Sequence, residues 1–251
     1  MNSRAPRGAA GPAIEVAVSA RILTLRLVDP PDNRLTPATV EELADALSRF
    51  ESEDLDLLVI TGSGRSFSKG FDVDALKAYR DPSELRSFLV LANAVFSRLE
   101  RCPKPTLAAI NGACLGGGLE LAMACHLRVC AEKGRLGLPE VWMNLIPGLG
   151  GFHRLARLVG PAKALELVAL GDLITAGEAL RLNLVNRVFR DDGFAERVAA
   201  FVRALTAANP RVMREVLRLA AGSADPGGDE RIREATDAFV ALWSCLPRTT
   251  I

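Results

Sequence analysis

Residues 105–120 read PTLAAINGACLGGGLE. Pro105 to Ile110 is a short apolar run of the kind that forms a strand buried on both faces of a parallel sheet. Gly112 and then Gly116-Gly117-Gly118 lead into an apolar helix, Leu119 to Cys125. The order is strand, glycine turn, helix. The preceding stretch has the same order. Leu57 to Thr61 is a largely apolar strand, Gly62-Ser63-Gly64 ends it, a loop carries Ser66 to Asp72, and a helical stretch runs from about Ser83 to Leu99. Leu127 to Cys130 adds another strand. This alternation over the first 130 residues predicts a βα-layered core and an α/β fold class.

On the N-terminal side, Ile14 to Leu27 alternates as one or two strands, and Asp29 to Asn33 breaks the pattern. Thr36-Pro37 starts a helix, with Val40, Leu43, Leu47 and Phe50 at helical spacing. On the C-terminal side, Leu136 to Gly151 is loop-rich, with two prolines and four glycines. Helices then dominate, over Ala162–Leu170, Thr175–Leu182, Phe194–Ala208, Pro210–Ala221 and Asp229–Leu242, with one strand at Val185–Phe189. The division is a flexible tail over 1–13, a core over 14–190 and a helical region over 191–251. The helical region reads as a lid or an oligomer surface.

Composition narrows the function classes. The 251 residues carry a formal net charge of +1, with one Tyr and two Trp. Neither a polyanion-binding surface nor a base-stacking surface is indicated, so no nucleic-acid partner is expected. No apolar run reaches the ~18 residues of a membrane span, and no signal peptide is evident. The cysteines are Cys102, Cys114, Cys125, Cys130 and Cys245, without a CxxC pair, and there are two histidines. No metal is expected, and the thiols read as reduced and packed, in the cytoplasm.

Two glycine-bearing loops each follow a strand and precede a helix: Ser68-Lys69-Gly70-Phe71-Asp72 and Leu115-Gly116-Gly117-Gly118. Each is either a tight turn or a place where backbone N–H groups meet a ligand, helped by the positive end of a helix. Two such N–H groups aimed at one point form an oxyanion hole. Neither loop has the GK[ST] of a phosphate loop or the GxGxxG of a dinucleotide fold. Glu120 follows the glycine turn on an otherwise apolar helix. It is either a partner of the helix dipole or a chemical group. Glu140, in Leu138-Pro139-Glu140-Val141-Trp142, is either a solvated loop charge or the second such group. His126 and His153 have no Ser or Cys partner in a nucleophile motif and read as structural.

At these residues the chain resembles the crotonase superfamily, which includes the enoyl-CoA hydratases. The likeness runs from about Ile14 to Ala241. Asn33-Arg34-Leu35, the loop from Gly62 to Asp72, PTLAAINGACLGGGLE, Leu138-Pro139-Glu140, Ile146 to Gly151 and Leu184 to Val188 occur in the family's order. The resemblance implies a spiral of ββα turns and a C-terminal helical region that assembles trimers, often paired into hexamers. It implies that the backbone N–H groups of Phe71 and Gly117 hold a thioester oxygen. It assigns catalysis to Glu120, which activates water, and Glu140, which protonates the α-carbon. Arg34, Ser68, Lys69, Gly70, Asp72, Val73, Gly116, Trp142 and Gly148 fall along the substrate path. Coenzyme A enters as part of the substrate, with no separate cofactor.

Retention of both glutamates points to an enoyl-thioester hydratase or dehydratase, acting on an acyl-CoA or acyl-carrier-protein thioester. The alternatives are an isomerase, a dehydratase of carrier-protein-bound 3-hydroxyacyl groups, or a non-catalytic scaffold with the same fold. Four departures stand out. Trp142 and Asn144 replace smaller residues, and a Trp142 facing the acyl pocket would restrict long chains. His126 stands where the family has Asp. Phe152-His153 replaces a small-polar pair. The chain ends at Ile251, short of the family's last segment, which predicts a pocket that is more open or is closed by a neighbouring subunit.

Overall fold

A computed structural model describes residues 11–72, 75, 76, 79–222, 236–239 and 241. The chain opens with a hairpin, β1 (Ile14–Ser19) and β2 (Ile22–Leu27). Its two-residue turn puts Ala20 and Arg21 at positive φ, the backbone that matches the twist of paired strands. Helix α1 (Pro37–Ser52) starts at Thr36, whose hydroxyl accepts from the Thr39 N–H in a reciprocal cap. Then β3 (Leu57–Gly62), β4 (Ser66–Ser68) and α2 (Pro82–Glu100) form one turn of a spiral. The next turn is β5 (Thr106–Ile110), β6 (Ala113–Leu115) and α3 (Gly117–Ala124). It is followed by β7 (Leu127–Ala131), β8 (Arg135–Gly137) and a 3-10 turn, Pro139–Met143.

The remaining elements are α4 (Gly151–Val159), α5 (Pro161–Leu170), β9 (Ile174–Thr175), α6 (Ala176–Arg181), β10 (Arg187–Phe189), α7 (Phe194–Thr206) and α8 (Pro210–Gly222). One sheet has the order β1-β2-β3-β5-β7-β10 and the other β4-β6-β8-β9. Each spiral turn therefore gives one strand to each sheet. The corner between them is tight. A Cβ on Gly112 would lie 1.9 Å from the Arg65 carbonyl oxygen, so no side chain fits there.

The continuous apolar runs have a simple cause. Alternate residues of β3, β5 and β7 point to opposite faces. Leu58, Ile60, Ala108, Ile110 and Cys130 enter the main core. Leu57, Val59, Leu107, Ala109 and Val129 face α7, which covers them with Val198, Phe201, Val202 and Leu205. Each fully buried Leu, Ile or Val among them contributes about 1.5–3 kcal/mol.

The α/β spiral and its helical C-terminal part agree with the sequence reading. The structure adds the three-residue strands of the second sheet, of which β8 enters the stretch expected to be loop-rich, the 3-10 turn within that stretch, and α4 directly after it. The strand expected at Val185–Phe189 is confined to Arg187–Phe189, because Leu184 and Val185 are buried at the end of the preceding turn. Of the helix expected over Asp229–Leu242, residues 236–239 and 241 are helical and the rest lie outside the described residues. Cys102, Cys114, Cys125 and Cys130 are free and buried, and burial raises each thiol. Cys245 lies outside the described residues.

Candidate active site

Two crossings of the chain create the site. Asn33, buried at positive φ, ties the first of them down. Its Nδ2 donates to the Ser63 and Ser66 carbonyls at 2.9 and 2.7 Å. Leu35 then pairs with the glycine loop. Its N–H donates to the Gly70 carbonyl and its carbonyl accepts from the Asp72 N–H, each at 2.9 Å. Successive N–H groups of an extended chain point to opposite sides. The Phe71 N–H therefore points away from Leu35. Gly117 begins α3, where a backbone N–H has no intrahelical acceptor. A Cβ on Gly117 would sit 2.6 Å from Phe71 Cδ2 and 3.5 Å from the Phe71 nitrogen. Glycine at this position is what lets the two amides approach one another.

Glu120 lies one turn into α3 and is 2% exposed. Its Oε1 accepts from the Leu149 N–H at 2.7 Å and the Gly151 N–H at 2.9 Å. Burial pushes this carboxyl up to about 7, and the charge of Glu140 pushes the same way. The two N–H donors and Arg154 oppose them. Glu140 follows Pro139 in the 3-10 turn and is 8% exposed. Its Oε2 is buried without a hydrogen-bond partner among the described residues. Burial raises this carboxyl as well. A Cβ on Gly116 would lie 3.0 Å from Glu140 Oε1, so the same glycine turn also makes room for the second carboxylate.

Both glutamates line a cavity of about 190 Å³ together with Gly70, Phe71, Gly116 and Gly117. Its apolar wall is Leu76, Leu85, Leu89, Met143, Leu145, Ile146 and Leu149. Arg34 and Lys69 also line it, and both pair with Asp32, at 3.3 and 2.8 Å. Lys69 is the main cause holding the Asp32 carboxyl below its ordinary value. Gly148 lines the cavity too. A larger hollow, about 550 Å³, lies between the end of α1 and the α7–α8 corner and contains neither glutamate.

Other expected residues fall elsewhere. Ser68 is buried off the cavity, and its hydroxyl accepts from the Gly70 N–H at 3.1 Å, which shapes the loop. Asp72 is also off the cavity wall, with its carboxylate accepting from the Ala75 N–H. Val73 lies outside the described residues. Trp142 corrects the expectation most clearly: it is 75% exposed and packs near Gly171, so it is not part of the cavity wall. The reason is the 3-10 period of three, which puts Glu140 and Met143 on the cavity side and turns Trp142 outward. His126 is structural. Its Nδ1 lies 2.8 Å from the Thr106 hydroxyl, and burial pushes the ring down to about 4. His153 is exposed and meets Phe152 edge-on.

Sequence reading did not pick out the apolar wall or the donors to Glu120. Leu85 and Leu89, four apart on α2, carried a detectable signal. The Leu149 and Gly151 N–H groups carried none beyond the glycines themselves.

Residues 17–239 match the family model for enoyl-CoA hydratase/isomerase. The chain belongs to this family. It is 39% identical over 209 residues to a probable enoyl-CoA hydratase of Bacillus subtilis (strain 168), a match covering 82% of this chain and 81% of the relative. It is similar in structure to an enoyl-CoA hydratase from Bacillus anthracis, with a TM-score of 0.88 and 28% identity over 94% of this chain and 93% of that one. A putative enoyl-CoA hydratase from Thermobifida fusca YX, solved in complex with CoA, gives a TM-score of 0.84 and 28% identity over 93% of each chain. The family's spiral fold is the one described above.

Proposed function

We propose that this chain adds water across the α,β double bond of an enoyl-coenzyme A thioester, or removes it in the reverse direction. The observation that carries this reading is two buried carboxyl groups lining one cavity together with the closely packed Phe71 and Gly117 backbone. The Phe71 and Gly117 N–H groups hold the thioester oxygen, where negative charge accumulates as the enolate forms. Glu120, poised near neutrality, takes a proton from the water that bonds to the β-carbon. Glu140, whose carboxyl is raised by burial, delivers a proton to the α-carbon from its protonated form. Glu120 is then protonated and Glu140 ionised, and transfer of one proton between them resets the site. Arg34 and Lys69 flank the coenzyme A portion, and no separate cofactor takes part.

Isomerisation and carrier-protein dehydration would use the same oxyanion geometry. Water addition is favoured because both carboxyl groups are present at the cavity. We also infer a cytoplasmic homotrimer or hexamer. Support comes from the large apolar side chains left exposed at Trp142, Ile146, Leu170 and Leu173. The activity is tested by incubating the protein with short enoyl-CoA thioesters and reading the product by mass. Gain of one water supports the reading; no turnover on any member of the panel overturns it.

A further inference from the structure

Glu120 depends on two peptide N–H groups, and the structure shows what holds each of those peptides. The Leu149 N–H belongs to the Gly148–Leu149 peptide. The carbonyl of that same peptide, Gly148, accepts from Asn93 Nδ2 at 3.0 Å. Asn93 Nδ2 also donates to the Leu89 carbonyl of its own helix, α2, at 2.9 Å. With two carbonyl acceptors, only the NH₂ end of the amide fits this position. The Gly151 N–H belongs to the Gly150–Gly151 peptide, whose carbonyl accepts from the Arg154 N–H at 3.0 Å. The peptide between them is held at the Leu149 carbonyl by Arg154 Nη1. Arg154, 6% exposed, is itself paired at 2.9 Å with Glu100 at the end of α2.

We propose that Asn93 is a positioning residue for Glu120, acting through the Gly148–Leu149 peptide as the side-chain donor of a three-part hydrogen-bond chain. This rests on the proposed role of Glu120. Donation into the carbonyl polarises the peptide and strengthens the bond its N–H makes to the carboxylate. It also fixes the plane of a peptide that lies between Pro147 and Gly150 and contains the conformationally free Gly148. Arg154 supplies the equivalent anchor for the rest of the turn, so α2 grips both ends of the Gly148–Gly151 segment. Leu85 and Leu89 of the same helix line the acyl wall, which couples the wall to the base.

The readout is the titration of Glu120, followed through the pH dependence of the Leu149 amide proton shift. Among the described residues, the charged groups around Glu120 are Glu140 from the 3-10 turn and Arg154 from α4. Glu100 and Arg157 pair around Arg154, and Arg34, Lys69 and Asp32 lie on the far side of the cavity. Asn93→Leu alters none of these charges. It should raise the midpoint by about 0.5 unit or more, because the ionised carboxylate loses part of its support. In turnover, the acidic limb of the rate profile should move by the same amount. The kcat should fall about tenfold, with KM within about twofold. Asn93→Gln, which keeps a donor, should recover part of both, and Asn93→Ala serves as the second donor-less variant should the leucine fail to fold. An unmoved Leu149 midpoint in a folded donor-less variant overturns the proposal. The amide titration needs no substrate, so a wild-type protein without hydratase turnover would defeat the functional reading while leaving this test intact.

Discussion

Glu120→Gln should make the protein more stable at alkaline pH while largely removing its activity. Glutamine keeps the oxygen that accepts from the Leu149 and Gly151 N–H groups, so the local geometry survives. What disappears is the cost of a buried charge. In the folded chain this carboxyl is raised from an ordinary 4.5 to about 7. A shift of that size corresponds to about 3 kcal/mol between the two protonation states. The raised value means that wild type holds its full share of stability below the unfolded value near 4.5. It loses that share as pH rises toward 7, and the loss levels off above. The variant has no such loss. The gap in unfolding free energy between variant and wild type should therefore widen by about 2 kcal/mol between pH 5.5 and 8.5. Urea unfolding at the two pH values and one fixed protomer concentration measures it. The rate on an enoyl-CoA substrate should fall by about 10²- to 10⁴-fold in the same variant. A variant less stable than wild type at pH 8.5, or a gap that does not change with pH, would refute the reasoning.

Further perturbations follow from the same geometry. Gly117→Ala adds a Cβ 2.6 Å from Phe71 Cδ2, which forces the two amides apart; kcat/KM should fall about 100-fold while the circular dichroism spectrum is kept. Wild-type kinetics in that variant would show that the two N–H groups do not act together. Trp142→Glu should convert the assembly to smaller species by light scattering, and it should leave acyl-length preference unchanged because the ring points away from the cavity. A wild-type protein that is monomeric at micromolar concentration would remove the inferred oligomer.

The legible and illegible parts of this fold divide along physical lines. Residues 105–120 were readable because a five-residue buried strand, a glycine turn and an apolar helix each leave a strong local mark. Leu57–Gly62 was readable for the same reason: both faces are buried, so the whole run is apolar. The strands Ser66–Ser68, Ala113–Leu115 and Arg135–Gly137 were not, since three residues are too few to show a period. Helix α4 was hidden by the glycines at its start, of which Gly151 admits the Glu120 carboxylate: a Cβ there would lie 2.7 Å from Glu120 Oε1. The two glutamates were ambiguous one at a time. Their position relative to the glycine turns was legible, but their common cavity depends on the 3-10 period after Pro139. That same period is why Trp142 was misplaced. The support for Glu120 from residues 149 and 151, and from Asn93 behind them, is long-range and left no trace in local sequence.

The central claim is that Glu140 protonates the α-carbon while Glu120 handles the water. It is tested most directly by hydrating an enoyl-CoA in D₂O with wild type and with Glu140→Gln, and following deuterium at the α-carbon by mass. Wild type should give a 3-hydroxyacyl product carrying one deuterium at that carbon. The variant should still bind the thioester but turn it over about 10³-fold more slowly. Formation of the same deuterated product at an undiminished rate by Glu140→Gln would contradict the assignment.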